Sequence, residues 1–371
     1  MPIFENIRYL RSALRDKKFA AADHVAIVQV ATTVVPIVML WWLAAKAVHC
    51  SVWLLLALIP VIGLFTLRAF TLMHDCGHYS LFQNRSTNRI VGFFLGVLTG
   101  MPQYVWAKHH DYHHAHNGDW EVYRGPYATR STAEYAAMTH GGKRFYRWKC
   151  SVYASPIAGF IYLVFNPRYT WLRGSIGLCW HMLRQKIACP RHSLRAYMAT
   201  YQTRYWKTSA EFRYMSLHNI AFIGMWICVC RVFGSGLVVA VGLASIALAG
   251  AAGIVLFTVQ HNFEKSYAST TMGWDVDDGA IYGTSFLLLP RWLNWFTLDI
   301  AFHHVHHLST AIPNYRLAAF HQENAARFAE VVRIPLSRVL ASLKCILWDV
   351  TAREIITVSE WQRRCAWNSP R

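Results

Sequence analysis

Four runs of this chain are too apolar and too long to be explained by folding in water: Val25–Ala45, Val52–Met73, Asn219–Val232 and Leu237–Val259. A segment in lipid has no water to satisfy its backbone N–H and C=O groups, so each run must close its hydrogen bonds internally as a helix. About 20 residues cross a bilayer core at the helical rise. Asn219–Val232 is short by that measure and carries Trp226; the other three are long enough. Composition points the same way, because 54% of the 371 residues are hydrophobic, only 15% are charged and mean hydropathy is +0.22. That excludes an ordinary soluble enzyme. The expected fold class is an all-α integral membrane protein, with four transmembrane helices, interfacial helices and a cytoplasmic histidine-rich helical cap.

Charge sets the expected topology. Met1–Ala22 carries Arg8, Arg11, Arg15, Lys17 and Lys18 without the apolar core and small-residue site of a cleaved leader. It reads as a retained cytoplasmic segment. Lys108–His218 is dense in cations, from Arg124 to Arg213, and by the positive-inside rule is also cytoplasmic. Crossing parity then places both termini on that side of a multi-pass protein. Arg68, near the end of the second run, is expected to snorkel or pair. Ile90–Trp106 is short and broken at Met101-Pro102, so it reads as a re-entrant or interfacial helix, with Gly92, Gly96 and Gly100 as a smooth packing stripe. Val152–Phe165 reads as an in-plane amphipathic helix ending at Asn166-Pro167-Arg168, and Leu287–Pro290 as a dip into the interface. The chain reads as one domain, 1–371: an N-terminal segment 1–22, a core 25–320, and cytoplasmic C-terminal helices over 321–371, among them Ala325–Arg333 and Leu336–Trp348.

The net charge of +18 does not indicate nucleic-acid binding, because the cations alternate with apolar stretches rather than forming a compact basic domain. Anionic lipid and an acidic protein partner suit them better. Nine cysteines without a C-x-x-C pair read as reduced thiols.

Three histidine clusters carry the chemistry. His74-Asp75-Cys76-Gly77-His78, His109-His110-Asp111-Tyr112-His113-His114 and His303-His304-Val305-His306-His307 lie far apart in sequence. Residues at i, i+3 and i+4 share one helix face, so His74/His78, His110/His113/His114 and His303/His306/His307 can each aim ring nitrogens at one point. His261 directly follows the fourth run. Nine imidazoles exceed what one metal with an open position uses, so two metals are expected. Imidazole suits iron, zinc, copper and nickel alike. Asp75, Asp111, Asp119, Glu121, Glu264 and Asp299 are candidates to orient ring N–H groups. His109, His116 and His304 are spare, although a register starting at His109 is also compatible with the spacing.

H-D-C-G-H at 74–78, H-x-x-H-H at 110–114 and H-x-x-H-H at 303–307 resemble the three histidine boxes of the integral-membrane fatty acid desaturase and hydroxylase family. The resemblance spans most of residues 25–320. Val259–Glu264, Trp274-Asp275, Leu289-Pro290, Trp295-Phe296-Thr297, Phe302–Ser309 and Ile312-Pro313-Asn314-Tyr315 are similar to the acyl-lipid desaturase branch. The resemblance implies an oxygen-dependent di-iron fatty acyl desaturase that introduces a cis double bond into a membrane lipid acyl chain. It implies two non-haem iron ions, O2 as co-substrate, and His74, His78, His110, His113, His114, His261, His303, His306 and His307 as ligands. It also implies a separate one-electron donor, ferredoxin or cytochrome b5, since no H-P-G-G haem motif is present. Thr310 and Ala311 replace the branch's usual Pro and basic residue, Asp299 stands where Asn is common, and Phe257 replaces an Asn of some relatives. Two other readings stand beside it. A lipid hydroxylase would share the scaffold, and a non-enzymatic metal carrier would place charged or liganding residues inside the spans.

Overall fold

All four apolar runs form helices longer than a bilayer core: Asp23–Ala47, Val52–Gly77, Ser209–Phe233 and Gly236–His261, of 25, 26, 25 and 26 residues. At about 1.5 Å per residue each is about 38 Å long. The third span is longer than its apolar run because Thr208 caps it upstream, accepting from the Glu211 N–H. Gly234, at φ +65°, ends that helix in the left-handed region, and Ser235 caps the fourth by accepting from the Leu237 N–H. The computed structural model describes residues 3–125 and 128–367; the expectations for the extreme termini, 1–2 and 368–371, lie outside them.

Small residues bring the spans together. A Cβ on Gly63 of the second span would sit 3.4 Å from the Ser245 carbonyl of the fourth, and one on Gly242 would strike the Trp226 ring at 2.0 Å. Without water to drive helices together, such close backbone approach supplies the packing. Arg68 does not snorkel. It is buried and pairs instead, donating to Thr33 Oγ1 at 2.9 Å and to the Trp295 carbonyl and lying 3.8 Å over the Trp295 ring.

Two helix pairs are bent rather than crossing straight. Arg85–Thr99 turns by 98° into Gln103–His116. Gly100, at φ +85°, makes the corner, where a side chain would meet the Leu163 carbonyl at 2.7 Å. The glycine stripe packs as expected: a Cβ on Gly92 would lie 2.8 Å from Cys76 Cβ. The second pair corrects an expectation. The helix through Val152–Phe165 does not stop at Asn166-Pro167-Arg168 but continues as Asn166–Ala188. A π-helical turn over Ile161–Phe165 makes room for Pro167, and Arg168 Nη1 donates to the carbonyls of Leu163 and Val164 at 2.7 and 3.1 Å. The proline's missing donor is thereby replaced. Val152 packs with Val255 and Leu256 near the end of the fourth span, while Gly174 meets Trp206 just before the third. Gly159 and Gly250 touch where this helix crosses the fourth span.

The C-terminal expectation also needs correction. Ala325–Arg333 holds one 3-10 turn, Ala325–Phe328, before the strand β3 (Arg333–Pro335), and the expected helix Leu336–Trp348 survives only to Ser342. Two small sheets replace it. β2 (Phe286–Leu288) pairs parallel with β3, so Leu287 is buried in a sheet where an interfacial dip was expected. β1 (Arg130–Ser131) runs parallel to β4 (Cys345–Asp349), which pairs antiparallel with β5 (Glu354–Thr357). Ile346, Leu347, Trp348, Ile355 and Ile356 are all buried. Branched and aromatic residues covered on both faces favour strand over helix. The helix Val358–Trp367 follows, and the N-terminal helix Ile3–Ala13 packs Ile7 and Leu10 into the same layer as Phe320 and Phe328.

Candidate metal centre

The elements that bear the nine expected histidines end or turn at one place. His74 lies in the last turn of the second span and His78 caps it; His261 is the final residue of the fourth. The bent helix Gln103–His116 supplies the second cluster, and the short buried helix His303–Leu308 the third. All nine expected histidines meet there, in two sets. His74, His78, His110, His114 and His306 form one, and His113, His261, His303 and His307 the other; the candidate ligand atoms within each lie within 4.8 Å of one another.

Ring Nε2 atoms face inward. His110 Nε2 is 2.9 Å from that of His74 and 3.1 Å from that of His114, which is 3.0 Å from that of His306. In the other set, His303 Nε2 is 2.9 Å from that of His261 and 3.1 Å from that of His307, which is 3.3 Å from that of His113. Nitrogens held about 2.1 Å from one ion, side by side on it, lie about 3 Å apart. The tautomers agree with this spacing. His74 Nδ1 is 2.9 Å from Asp75 Oδ1, and His261 Nδ1 is 3.0 Å from the Gly283 carbonyl. Both partners accept, so each Nδ1 carries the proton and each Nε2 turns a lone pair toward its set. His78 Nε2 is buried with no hydrogen-bond partner among the described residues. Burial pushes His303, His306 and His307 well below the ordinary imidazole value, with neighbouring histidines adding to the shift. His78 is lowered by burial against the opposing pull of Asp111. A dry collection of neutral imidazoles with converging lone pairs fits a metal site, and an all-nitrogen donor set suits a transition metal.

Of the acidic candidates, Asp75 touches His74, and Asp111 lies 3.4 Å from His78 Nδ1. The others do different work. Asp119 and Glu121 hold Thr271, Asp299 faces Arg68, and Glu264 is exposed. Burial raises the Asp299 carboxyl to about 6 against the pull of Arg68. His109 is exposed, which removes the register starting there; His116 bonds to the Tyr112 carbonyl, and His304 turns away to His321 at 2.8 Å. Phe257 lies 4.8 Å from the rings of both His113 and His261, and Trp106 stacks on His110 at 4.5 Å. The Gly283 carbonyl escaped sequence reading because a backbone oxygen has no residue signature. Asn314 stood within a recognised stretch, but its contact with Asp75 is visible only in three dimensions.

Comparison with known proteins agrees with this geometry. The model of the family described as fatty acid desaturase matches residues 51–336. A fatty acid desaturase of Bacillus subtilis is 30% identical over 333 residues, covering 90% of this chain and 85% of its own. An sn-1 oleoyl-lipid 12-desaturase of Synechocystis is 24% identical over 262 residues, covering 68% of this chain and 63% of its own, and one of Anabaena variabilis is 23% identical over 270. Four apolar membrane helices, two buried histidine sets and a family match across most of the sequence converge on one conclusion: the chain belongs to the fatty acid desaturase family.

Proposed function

We propose that this desaturase introduces a cis double bond into an acyl chain of a membrane lipid, with O2 as co-substrate and two irons. His74, His78, His110, His114 and His306 would hold one ion, and His113, His261, His303 and His307 the other. The carrying observation is the convergence of nine imidazoles into two sets at the ends of two spans. Bound irons, unlike zinc, can change valence, and with O2 would supply the power to remove two hydrogens from an unactivated methylene pair.

The protein's part is to hold, dry and measure. Asp75 and the Gly283 carbonyl retain the Nδ1 protons of His74 and His261, so those rings present their lone pairs in one direction. A methylene chain offers no polar handle, so the position of reaction depends on how far it reaches along an apolar surface. Trp106 and Phe257 supply such surface beside both sets, with Phe70 edge-on to Trp106 at 5.4 Å. One turn before Phe257, an added Cβ on Gly253 would meet, among the described residues, only Leu67, at 3.8 Å, which leaves room along this face.

At the membrane side away from the histidines, the last turns of the first and third spans carry Lys46 and Arg231 as their cations, while the histidine side carries nearly all the rest. This supports a cytoplasmic position for the histidines and both termini. Electrons would come from a separate donor of ferredoxin or cytochrome b5 type, drawn to the basic face. Expression in a host lacking unsaturation activity, with mass spectrometry of the lipid acyl chains, tests the assignment. A new cis alkene is expected from the parent protein and none from His306→Ala; a hydroxylated chain without an alkene would overturn it.

A further inference from the structure

We propose that a pocket between helices His140–Lys149 and Val358–Trp367 binds the phosphate of an anionic phospholipid from the surrounding bilayer. The pocket has a volume of about 370 Å³, and three of its lining residues, His140, Lys143 and Arg147, stand at i, i+3 and i+7 on one face of the first helix. Tyr135 and Trp361 form its aromatic wall, with Lys143 Nζ 5.6 and 6.0 Å from their ring centres. No carboxylate lines it among the described residues. The acids nearby are already engaged. Glu360 pairs with Arg363 and Arg364 at 2.6 and 3.0 Å, Asp349 and Glu354 pair with Arg364 at 2.7 and 2.6 Å, and Glu134 pairs with Arg124 at 2.8 Å. Lys143 donates to the Ala136 carbonyl at 3.0 Å, a contact that leaves its charge uncancelled.

Position selects a lipid as the source of the anion. Tyr135, Tyr146 and Trp361 share one apolar cluster with Ile254 of the fourth span, seven residues and so about 10 Å from His261 along the helix. On another face of the His140 helix, Phe145 and Trp148 are exposed, and Tyr153 follows, 84% exposed. Exposed aromatics beside a span mark the headgroup layer. The helix therefore turns one face to the core through Tyr146 and Cys150, one to lipid and one to the pocket. Arginine and lysine on such a helix are suited to a phosphate at that depth. The pocket stands apart from the histidine sets, and none of its residues belongs to them.

The test is retention of lipid by the full-length protein in nanodiscs of phosphatidylcholine doped with phosphatidylglycerol, followed by native mass spectrometry after detergent exchange. The parent protein is expected to retain phosphatidylglycerol over phosphatidylcholine. In Lys143→Ala/Arg147→Ala that preference is expected to fall by about ten- to thirtyfold, each cation contributing modestly near a charged surface. Lys143→Arg/Arg147→Lys, which keeps both charges, is expected to keep it. An unchanged preference in the alanine pair, or equal retention of both lipids by the parent, would overturn the proposal. Displacement of the lipid by millimolar inorganic phosphate would overturn the lipid assignment and leave a free-anion site. The readout is binding, so its failure would not bear on desaturation.

Discussion

Asn314 donates both its backbone N–H and its side-chain amide to Asp75 Oδ2, each at 2.9 Å, while the other Asp75 oxygen holds His74 Nδ1 at 2.9 Å. Asn314 opens the helix Asn314–Glu323, so the carboxylate also sits at a helix N-terminus, where negative charge is favoured. Gln29 of the first span exchanges hydrogen bonds with the Asn314 amide at 2.8 and 3.2 Å, which extends the chain of contacts to a third element. Groups that orient a liganding imidazole commonly affect metal affinity by about 10- to 100-fold. Asp75→Asn and Asn314→Ala are therefore expected to lose the bound metal to a chelator within that range, measured as metal per protein after dialysis. Retention equal to the parent's in both would show that this chain of contacts does not hold His74.

Arg68 joins three elements inside the membrane: it reaches Thr33 on the first span and the Trp295 carbonyl, and it faces Asp299, four residues before His303. Removing the buried guanidinium leaves the Thr33 hydroxyl and the Trp295 carbonyl without their donor and the half-buried Asp299 without the positive charge it faces. Arg68→Met is expected to destabilise the protein by about 3 kcal/mol, and Arg68→Met/Asp299→Asn by less than the single change. Denaturant titration of both in one detergent checks this; a double variant weaker than the single would refute the coupling.

At the crossing of Gly159 with the fourth span, a Cβ would land 2.4 Å from the Ala247 carbonyl and 2.5 Å from the Ala251 N–H. Backbone atoms cannot rotate away as a side chain can. Gly159→Leu is expected to cost about 3 kcal/mol or more and to lower the thermal midpoint, whereas Gly224→Ala, with nothing among the described residues within 4 Å of the added atom, should shift it little. A scan in detergent comparing the two decides the matter.

His304 and His321 form a buried pair beside Phe302 and Phe328. Burial, with Arg333 adding, lowers His321 to about 4, and burial lowers His304 well below its ordinary value. Between that value and the unfolded pKa of about 6.5, the unfolded chain binds more protons, so stability rises with pH. It is complete above about 6.5 and is lost progressively as pH falls toward 4. The thermal midpoint of His321→Gln is expected to fall less steeply than the parent's across this interval; parallel curves would show that His321 does not contribute.

Much of this protein is legible in one dimension. The four apolar runs fix four helices because lipid leaves their backbone no other way to satisfy its polar groups. The histidine spacings group the second cluster on one helix face because a helix repeats every 3.6 residues whatever surrounds it, and the exposure of His109 then leaves His110, His113 and His114. Where periodicity weakens, reading weakens with it. Pro167 looked like a stop, but a π turn and the Arg168 guanidinium carry the helix past it. Residues 345–357 lacked an alternating polar face because both sides are covered, and they form a hairpin where a helix was expected.

The amino-acid order alone determined that this chain enters a membrane, that four of its runs are apolar and long enough to form helices there, and that three histidine clusters share a chemistry. Only the tertiary structure decided that five histidines gather about one point and four about another, that Asp75 answers to Asn314, and that His304 turns away. Local rules act over one helical turn, within which sequence distance is spatial distance. The grouping of His74 with His306, and of His113 with His261, depends on how separate helices bend and cross, and that is settled by close contacts such as Gly92 on Cys76 and Gly159 on Gly250, between residues far apart along the chain.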